Sequence, residues 1–275
     1  VNYLFTEKPL AVSVDAGRKL AELAESKGTV HMVGYHKRSD PAVMHAKETV
    51  DEWQRSGAMG PLKYVRILMP EGDWVANGFI GMLNAGDSPP PFEREDAVTD
   101  LAGLTPETEG EGWEALTGRY VAFVNYYIHQ VNLMRHFLGE NYTVTYADKA
   151  GVLLVVESEC GITGTIEMSP YRTTVDWQES ALVAFEKGTV DLTLPAPLAR
   201  NRPGRVSLYV DPGDGKTPEH REPTLPFVGA MRQQAINFVN VCRGEMTPPC
   251  RASEAVNDLQ AAAEYIRLWK ETQAC

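Results

Sequence analysis

Val1–Phe5 is a short apolar run that empties into Thr6-Glu7-Lys8-Pro9, the pattern of a buried strand followed by a loop. A helix is expected next, with Ser13 as its N-cap, Asp15 in its first turn, Leu20, Leu23 and Ala24 on one face, and Gly28 at its end. Thr29–Gly34 has the β-branched, apolar character of a second strand. Asp40-Pro41 opens a second helix, in which Val43, Ala46, Val50 and Trp53 recur at helical spacing up to Gly57. The order strand, helix, strand, helix is that of a parallel α/β sheet.

After Leu62–Met69 the pattern changes. Instead of a helix comes a long Gly-, Pro- and acid-rich stretch, Glu71 to about Gly112, and segments of that length usually serve as functional loops. This stretch is expected to lie over the functional cleft. A helix over Gly118–Leu138 follows, with a broad apolar face from Val121 to Phe137 and a stop at Gly139. Extended segments then succeed one another: Tyr142–Asp148, Val152–Glu157, Thr163–Met168, Glu179–Phe185, Val190–Leu194 and Val206–Val210. Cys160-Gly161 and Lys187-Gly188 sit at hairpin turns, which implies an antiparallel sheet. Helices over Val228–Arg243 and Ser253–Thr272 close the chain. The expected class is α/β plus α+β: part of a parallel Rossmann-type sheet, then a large, mainly antiparallel sheet with helices on one face.

The 26 Lys and Arg against 37 Asp and Glu leave a net charge of −11, which opposes binding to nucleic acid. No apolar run approaches the ~20 residues needed to cross a bilayer, so no membrane partner is expected. Cys160, Cys242, Cys250 and Cys275 form neither a disulfide framework nor a metal knuckle, and free thiols in a reducing, cytoplasmic compartment are expected. His31, His45, His136 and His220 lack partners at ligand spacing, so no metal role is assigned.

Three places carry candidate chemistry. Lys8 stands just beyond the carboxyl end of a parallel strand, the edge where α/β sheets bind ligands; a loop lysine in water fits the same position. Tyr35-His36-Lys37-Arg38 ends the second strand at the same edge and would aim Arg38 into the same cleft, unless Arg38 pairs with a carboxylate. His129 lies within an apolar helix, with Asn125, Asn132 and the tyrosines Tyr126 and Tyr127 around it, either as a core histidine or as a proton-exchanging group. Asp73-Trp74 and Tyr171-Arg172 have the aromatic and polar character of carbohydrate contacts.

Taken together, these segments resemble the Gfo/Idh/MocA oxidoreductases, the family that includes glucose-fructose oxidoreductase and inositol dehydrogenase, over nearly the whole chain. Glu7-Lys8-Pro9-Leu10-Ala11 resembles the family's E-K-P signature; Val33–Pro41 resembles its strand-ending segment, and Gly57-Ala58-Met59-Gly60-Pro61-Leu62 the turn before its second domain. The family's helix motif, an Asp four residues before a His and a second Asp three after it, falls on Asn125, His129 and Asn132.

The resemblance implies an NAD(P)-dependent enzyme acting on a hydroxyl of a sugar, cyclitol or sugar derivative. Lys8 and His129 would be catalytic. Tyr35, Arg38, Trp74, Asn125, Tyr126, Tyr171 and Arg172 would contact substrate, and Glu7, Lys8 and Pro9 the cofactor. It also implies a cis Lys8–Pro9 bond. The unpaired apolar edge of Val1–Phe5 and the apolar face of the large sheet point to a homo-oligomer. Residues 1–38 would be the end of a dinucleotide-binding domain, and 39–275 a substrate-binding and oligomerisation domain.

Two departures from the family stand out. The chain begins just before E-K-P and holds no G-x-G-x-x-G turn, so a carboxyl-terminal portion is expected, inactive alone and without tightly bound NAD or NADP. Asparagines replace both motif carboxylates, which would lower the His129 pKa or pass its role to Tyr126 or Tyr127. The alternatives are a non-catalytic binding or scaffold relative and an NAD-dependent glycoside-cleaving enzyme.

Overall fold

The structure is a computed structural model and describes residues 1–75 and 97–274. Strand β1 (Tyr3–Glu7) pairs in parallel with β2 (Val30–Gly34) across helix α1 (Val14–Ser26), Tyr3 opposite Val30 and Glu7 opposite Gly34. The Ser13 side chain caps α1 by accepting from the Ala16 amide. A single 3-10 turn, His36–Ser39, leads into α2 (Pro41–Ser56), where Asp40 accepts from the Ala42 amide, Pro41 occupies the first turn, and Gly57 ends the helix at φ 66°. All these punctuation marks act where the local chemistry places them.

The large sheet has eight strands in the order β10-β9-β8-β7-β3-β6-β5-β4. They are β3 (Leu62–Glu71), β4 (Tyr142–Ala147), β5 (Leu153–Ser158), β6 (Thr163–Arg172), β7 (Glu179–Phe185), β8 (Gly188–Leu194), β9 (Arg205–Val210) and β10 (Glu219–Arg221). Every pairing is antiparallel except β3 with β6. Strand β6 continues beyond Met168, through a bulge at which Ser169 takes φ 47°, before pairing Arg172 with Glu71. The three-residue edge strand β10 is too short to leave a periodic signal in the sequence.

Burial alternates along the central strands, as in β7, so one face of the sheet is sealed. Helix α4 (Trp113–Leu138), which begins five positions before the expected Gly118, packs against β3 and β6 on that face; α2 covers β8 and β9, and α6 (Ala252–Gln273) covers β4. Helix α3 (Pro106–Glu109) is a single turn tied to α6 by the Glu109–Lys270 ion pair. Helix α5 (Ala230–Cys242) lies against the 3-10 turn.

A buried polar network ties α4 to α6. Asp258 accepts from Asn132 Nδ2 at 2.7 Å and from Arg135 Nη2 at 2.6 Å, and its carboxylate is fully buried. Glu254 is 2.9 Å from Arg38 and 3.3 Å from Arg135. Half of the stretch expected to cover the cleft, residues 76–96, lies outside the described residues. No helix among the described residues is long and apolar enough to cross a membrane.

Candidate functional site

Strands β1 and β2 end side by side, and their carboxyl ends face the middle of α4. Between them lies a cleft of about 320 Å³ whose walls include Lys8, Lys37, Trp74, Asn125, Tyr126 and His129. Glu7, at the end of β1, accepts from Gln234 of α5 at 3.0 Å. Its carboxylate crosses directly over Gly34, where any Cβ would sit 3.0 Å from Glu7 Oε1; the missing side chain permits this packing. The Lys8–Pro9 bond is cis, as expected, and Lys8 Nζ donates to the Asn125 carbonyl at 2.6 Å, so E-K-P and α4 meet directly. Burial lowers the Lys8 pKa, opposed by the Glu7 carboxylate and reinforced by Lys37.

His129 is buried, and its imidazole stands edge-on to that of His36, ring centres 4.4 Å apart. Burial lowers both pKa values well below 6.5, and the Lys37 and Lys8 charges act in the same direction. His129 is therefore a neutral imidazole at neutral pH. Burial pushes the Tyr126 phenol up to about 12, and that of Tyr127 is also raised; both remain protonated hydrogen-bond donors rather than bases.

The sites predicted from sequence divide into two groups. Glu7, Lys8, Trp74, Asn125, Tyr126 and His129 come together in the cleft. Arg38 does not reach it: its guanidinium is taken up by the Pro249 carbonyl at 2.6 Å and by Glu254, because the 3-10 turn sends positions 37 and 38 to different sides. Tyr35 is buried behind His129, ring centres 5.9 Å apart, and contributes packing. Tyr171 donates to Gln178, and Arg172 pairs with Glu71 at 2.6 Å, at the far end of β6 and outside the cleft. Asn132 points into the Asp258 network rather than toward His129.

Sequence reasoning missed the group that forms the floor of the cleft. Lys37 and Glu179 make an ion pair that is almost completely buried, and Glu179 also accepts from Gln130 at 2.7 Å and from the Trp177 indole at 3.1 Å. The Lys37 ammonium stands 5.8 Å from the centre of the Trp177 ring. The available signal was the basic run at the end of β2, but its register on a 3-10 turn is not visible from residue types. Among the described residues no group of three or more His, Cys, Asp or Glu is arranged to hold a metal ion.

Two expected outcomes follow from these electrostatics. His36, His129 and His136 protonate near 6.5 when unfolded but resist protonation when folded, so unfolding takes up as many as three protons as pH falls below 6.5. Their contribution to stability is complete above that value and declines on acidification, and urea midpoints measured between about pH 7 and pH 5 should fall. A flat profile would mean that the imidazoles are hydrated. Asn125 is exposed at the cleft one helical turn from His129, and Asn125→Asp is expected to raise the His129 pKa by about one pH unit. An NMR titration of the imidazole checks this, and no upward movement would remove Asn125 from its neighbourhood.

No protein-family model matches the sequence, and no curated protein matches it. Solved structures do. An NAD binding oxidoreductase from Klebsiella pneumoniae is similar at a TM-score of 0.64 and 15% identity, over 98% of this chain and 72% of that one. UDP-N-acetylglucosamine 3-dehydrogenase GnnA from Acidithiobacillus ferrooxidans is similar at 0.59 and 12% identity, over 98% and 71%. Aldose-aldose oxidoreductase from Caulobacter crescentus, complexed with glycerol, is similar at 0.57 and 17% identity, over 98% and 70%. With its two-stranded parallel sheet, its eight-stranded sheet and its E-K-P segment docked against α4, this chain has the fold of the Gfo/Idh/MocA-type oxidoreductases.

Proposed function

We propose that this chain carries the substrate-binding and catalytic part of an NAD(P)-dependent oxidoreductase acting on a hydroxyl of a sugar, cyclitol or sugar derivative. The observation that carries this reading is the meeting of Lys8 and His129 in one cleft at the carboxyl ends of two parallel strands. A carbinol bound there donates its proton to the neutral His129 imidazole, while the Lys8 ammonium hydrogen-bonds the oxygen and stabilises the charge developing on it. Trp74 and Trp177 supply flat apolar walls suited to a sugar ring, and the Lys37–Glu179 pair fixes the polar floor.

NAD or NADP, when bound, would supply the nicotinamide that accepts the hydride from the carbinol carbon, and Glu7, Lys8 and Pro9 are the residues that would hold it beside the cleft. These 275 residues hold no G-x-G-x-x-G turn, so residues 1–38 supply the end of the dinucleotide unit and not its phosphate contacts. By themselves they are expected to bind NAD(P) no more tightly than about millimolar, roughly −4 kcal/mol.

The test is the absorbance of reduced nicotinamide with aldoses, cyclitols and nucleotide sugars, using a form of the protein joined to the phosphate-binding strands. Turnover that Lys8→Ala abolishes supports the reading; cofactor binding without turnover of any of these substrates overturns it.

The same reading includes a homo-oligomer. Tyr3 and Leu4 of β1 are 39% and 37% exposed, and no helix among the described residues packs on the second face of the eight-stranded sheet. Light scattering is expected to give at least a dimer, and a monodisperse monomer would overturn the expectation.

A further inference from the structure

A second cavity, of about 440 Å³, opens on the other side of Tyr126 between α4, α6 and the turn joining β4 to β5. Arg119, Phe123, Tyr126, Tyr127, Ser169 and Tyr265 line it. The guanidinium of Arg119 lies flat on the Trp269 indole, 3.6 Å from the ring centre, and Nη2 is 3.4 Å from the Tyr265 hydroxyl. It makes no ion pair with any carboxylate among the described residues, and its buried Nε has no hydrogen-bond acceptor. In a chain of net charge −11, a half-buried cation without a counter-ion among the described residues is a strong attractor for an anion.

The surroundings are built to hold Arg119 in place and to leave its charge unspent. At Gly151, whose φ is +75°, a Cβ would come within 2.2 Å of Arg119 Nη2, so a side chain there would push the guanidinium out of its present place. The carboxylate at the rim, Glu71, is already occupied by Arg172 at 2.6 Å. The Tyr127 hydroxyl and Ser169 Oγ, hydrogen-bonded to each other at 2.5 Å, leave one further O–H donor on the cavity wall, and Phe123 stacks on Tyr265 with ring centres 4.6 Å apart to form an aromatic wall. A planar fork of donors, hydroxyls and ring faces in a space of this size match a six-membered polyol ring bearing one oxyanion.

We infer that this cavity is a binding site for an anionic sugar, whose carboxylate or phosphate is held by Arg119. The inference does not depend on the Lys8–His129 chemistry, and it is tested without cofactor.

Calorimetric titration of the chain uses glucuronate and glucose 6-phosphate as probes, with glucose as the uncharged control. At least one anionic probe is expected to bind at least tenfold more tightly than glucose, and the comparison between the two identifies the oxyanion. Arg119→Gln is expected to bring that probe down to the level of glucose. Ala122→Glu provides an independent route, because position 122 is exposed on the cavity wall one turn from Arg119 and a carboxylate there would occupy the guanidinium internally. It too should abolish the preference while leaving Arg119 and its stacking in place. In Lys8→Ala, which alters the other sugar-facing cleft, the component of binding that Arg119→Gln removes should persist at full strength. Equal affinity for glucose and both anions, binding lost in Lys8→Ala but retained in Arg119→Gln, or no binding of either anion would each overturn the proposal.

Discussion

Replacing His129 with Ala is expected to lower kcat by roughly 10²–10⁴-fold in a cofactor-competent form of the protein, the usual worth of a positioned general acid or base. On the proposed reading the neutral, buried imidazole, which shares one cleft with Lys8, takes the proton as the hydride departs. Cofactor affinity should change by less than about twofold, because Glu7–Pro9 do not depend on the imidazole for their position: Glu7 is held by Gln234 and Lys8 by the Asn125 carbonyl. Steady-state kinetics with saturating cofactor separates the two effects. A fall in kcat of less than about threefold would make His129 a packing residue against His36 and Tyr35.

Asp258→Ala is expected to destabilise the protein by about 3–5 kcal/mol, the usual consequence of removing one partner from a buried ion pair. The loss would leave Arg135 buried with only the partly exposed Glu254 beside it, and Asn132 without the acceptor for its amide. Burial acts against the Arg135 charge, and Asp258 is what holds its pKa above the ordinary value. Equilibrium urea denaturation should show a lower midpoint with little change in slope. A loss under about 1 kcal/mol would show that water reaches the network. Since Arg38 leans on Glu254, the variant should also loosen the end of β2 and thus the wall of the cleft.

Much of the fold was legible because its boundaries are set by local chemistry. Ser13, Asp40-Pro41, Gly57 and Gly139 start or stop helices by hydrogen bonding and backbone geometry that require no tertiary knowledge. Glu179–Phe185 coincides with its strand because alternating burial there follows alternating residue type. The misses come from tertiary context. Gly118 does not interrupt α4, since packing below it outweighs a helix penalty of about 1 kcal/mol.

The meeting of the E-K-P segment and His129 in one cleft was legible, the residues around them less so. Whether Lys37 or Arg38 enters the cleft depends on the phase of one 3-10 turn. Glu179 reads as a strand end, yet it is the buried counter-ion that decides the matter. Arg119 and Trp269 lie on different helices, far apart in sequence, and only the packing of α6 on α4 brings them together.

The position of β3 also has a consequence for how the chain assembles. Strands β4 to β6 and β7 to β10 each pair with their neighbours in sequence, so both halves of the sheet can form from short-range hairpins. Strand β3 is synthesised before all of them and belongs between the two halves; Tyr64 and Thr165, side by side in the finished sheet, are 101 residues apart in the chain. Closing so long a loop brings entropy cost before reward, so contact order places the insertion of β3 late and makes it the slow step. Until it docks, both half-sheets carry an open central edge. During that interval the chain is exposed to intermolecular strand pairing, and pulse-labelled amides of β3 should gain protection after those of the β5–β6 and β7–β8 hairpins.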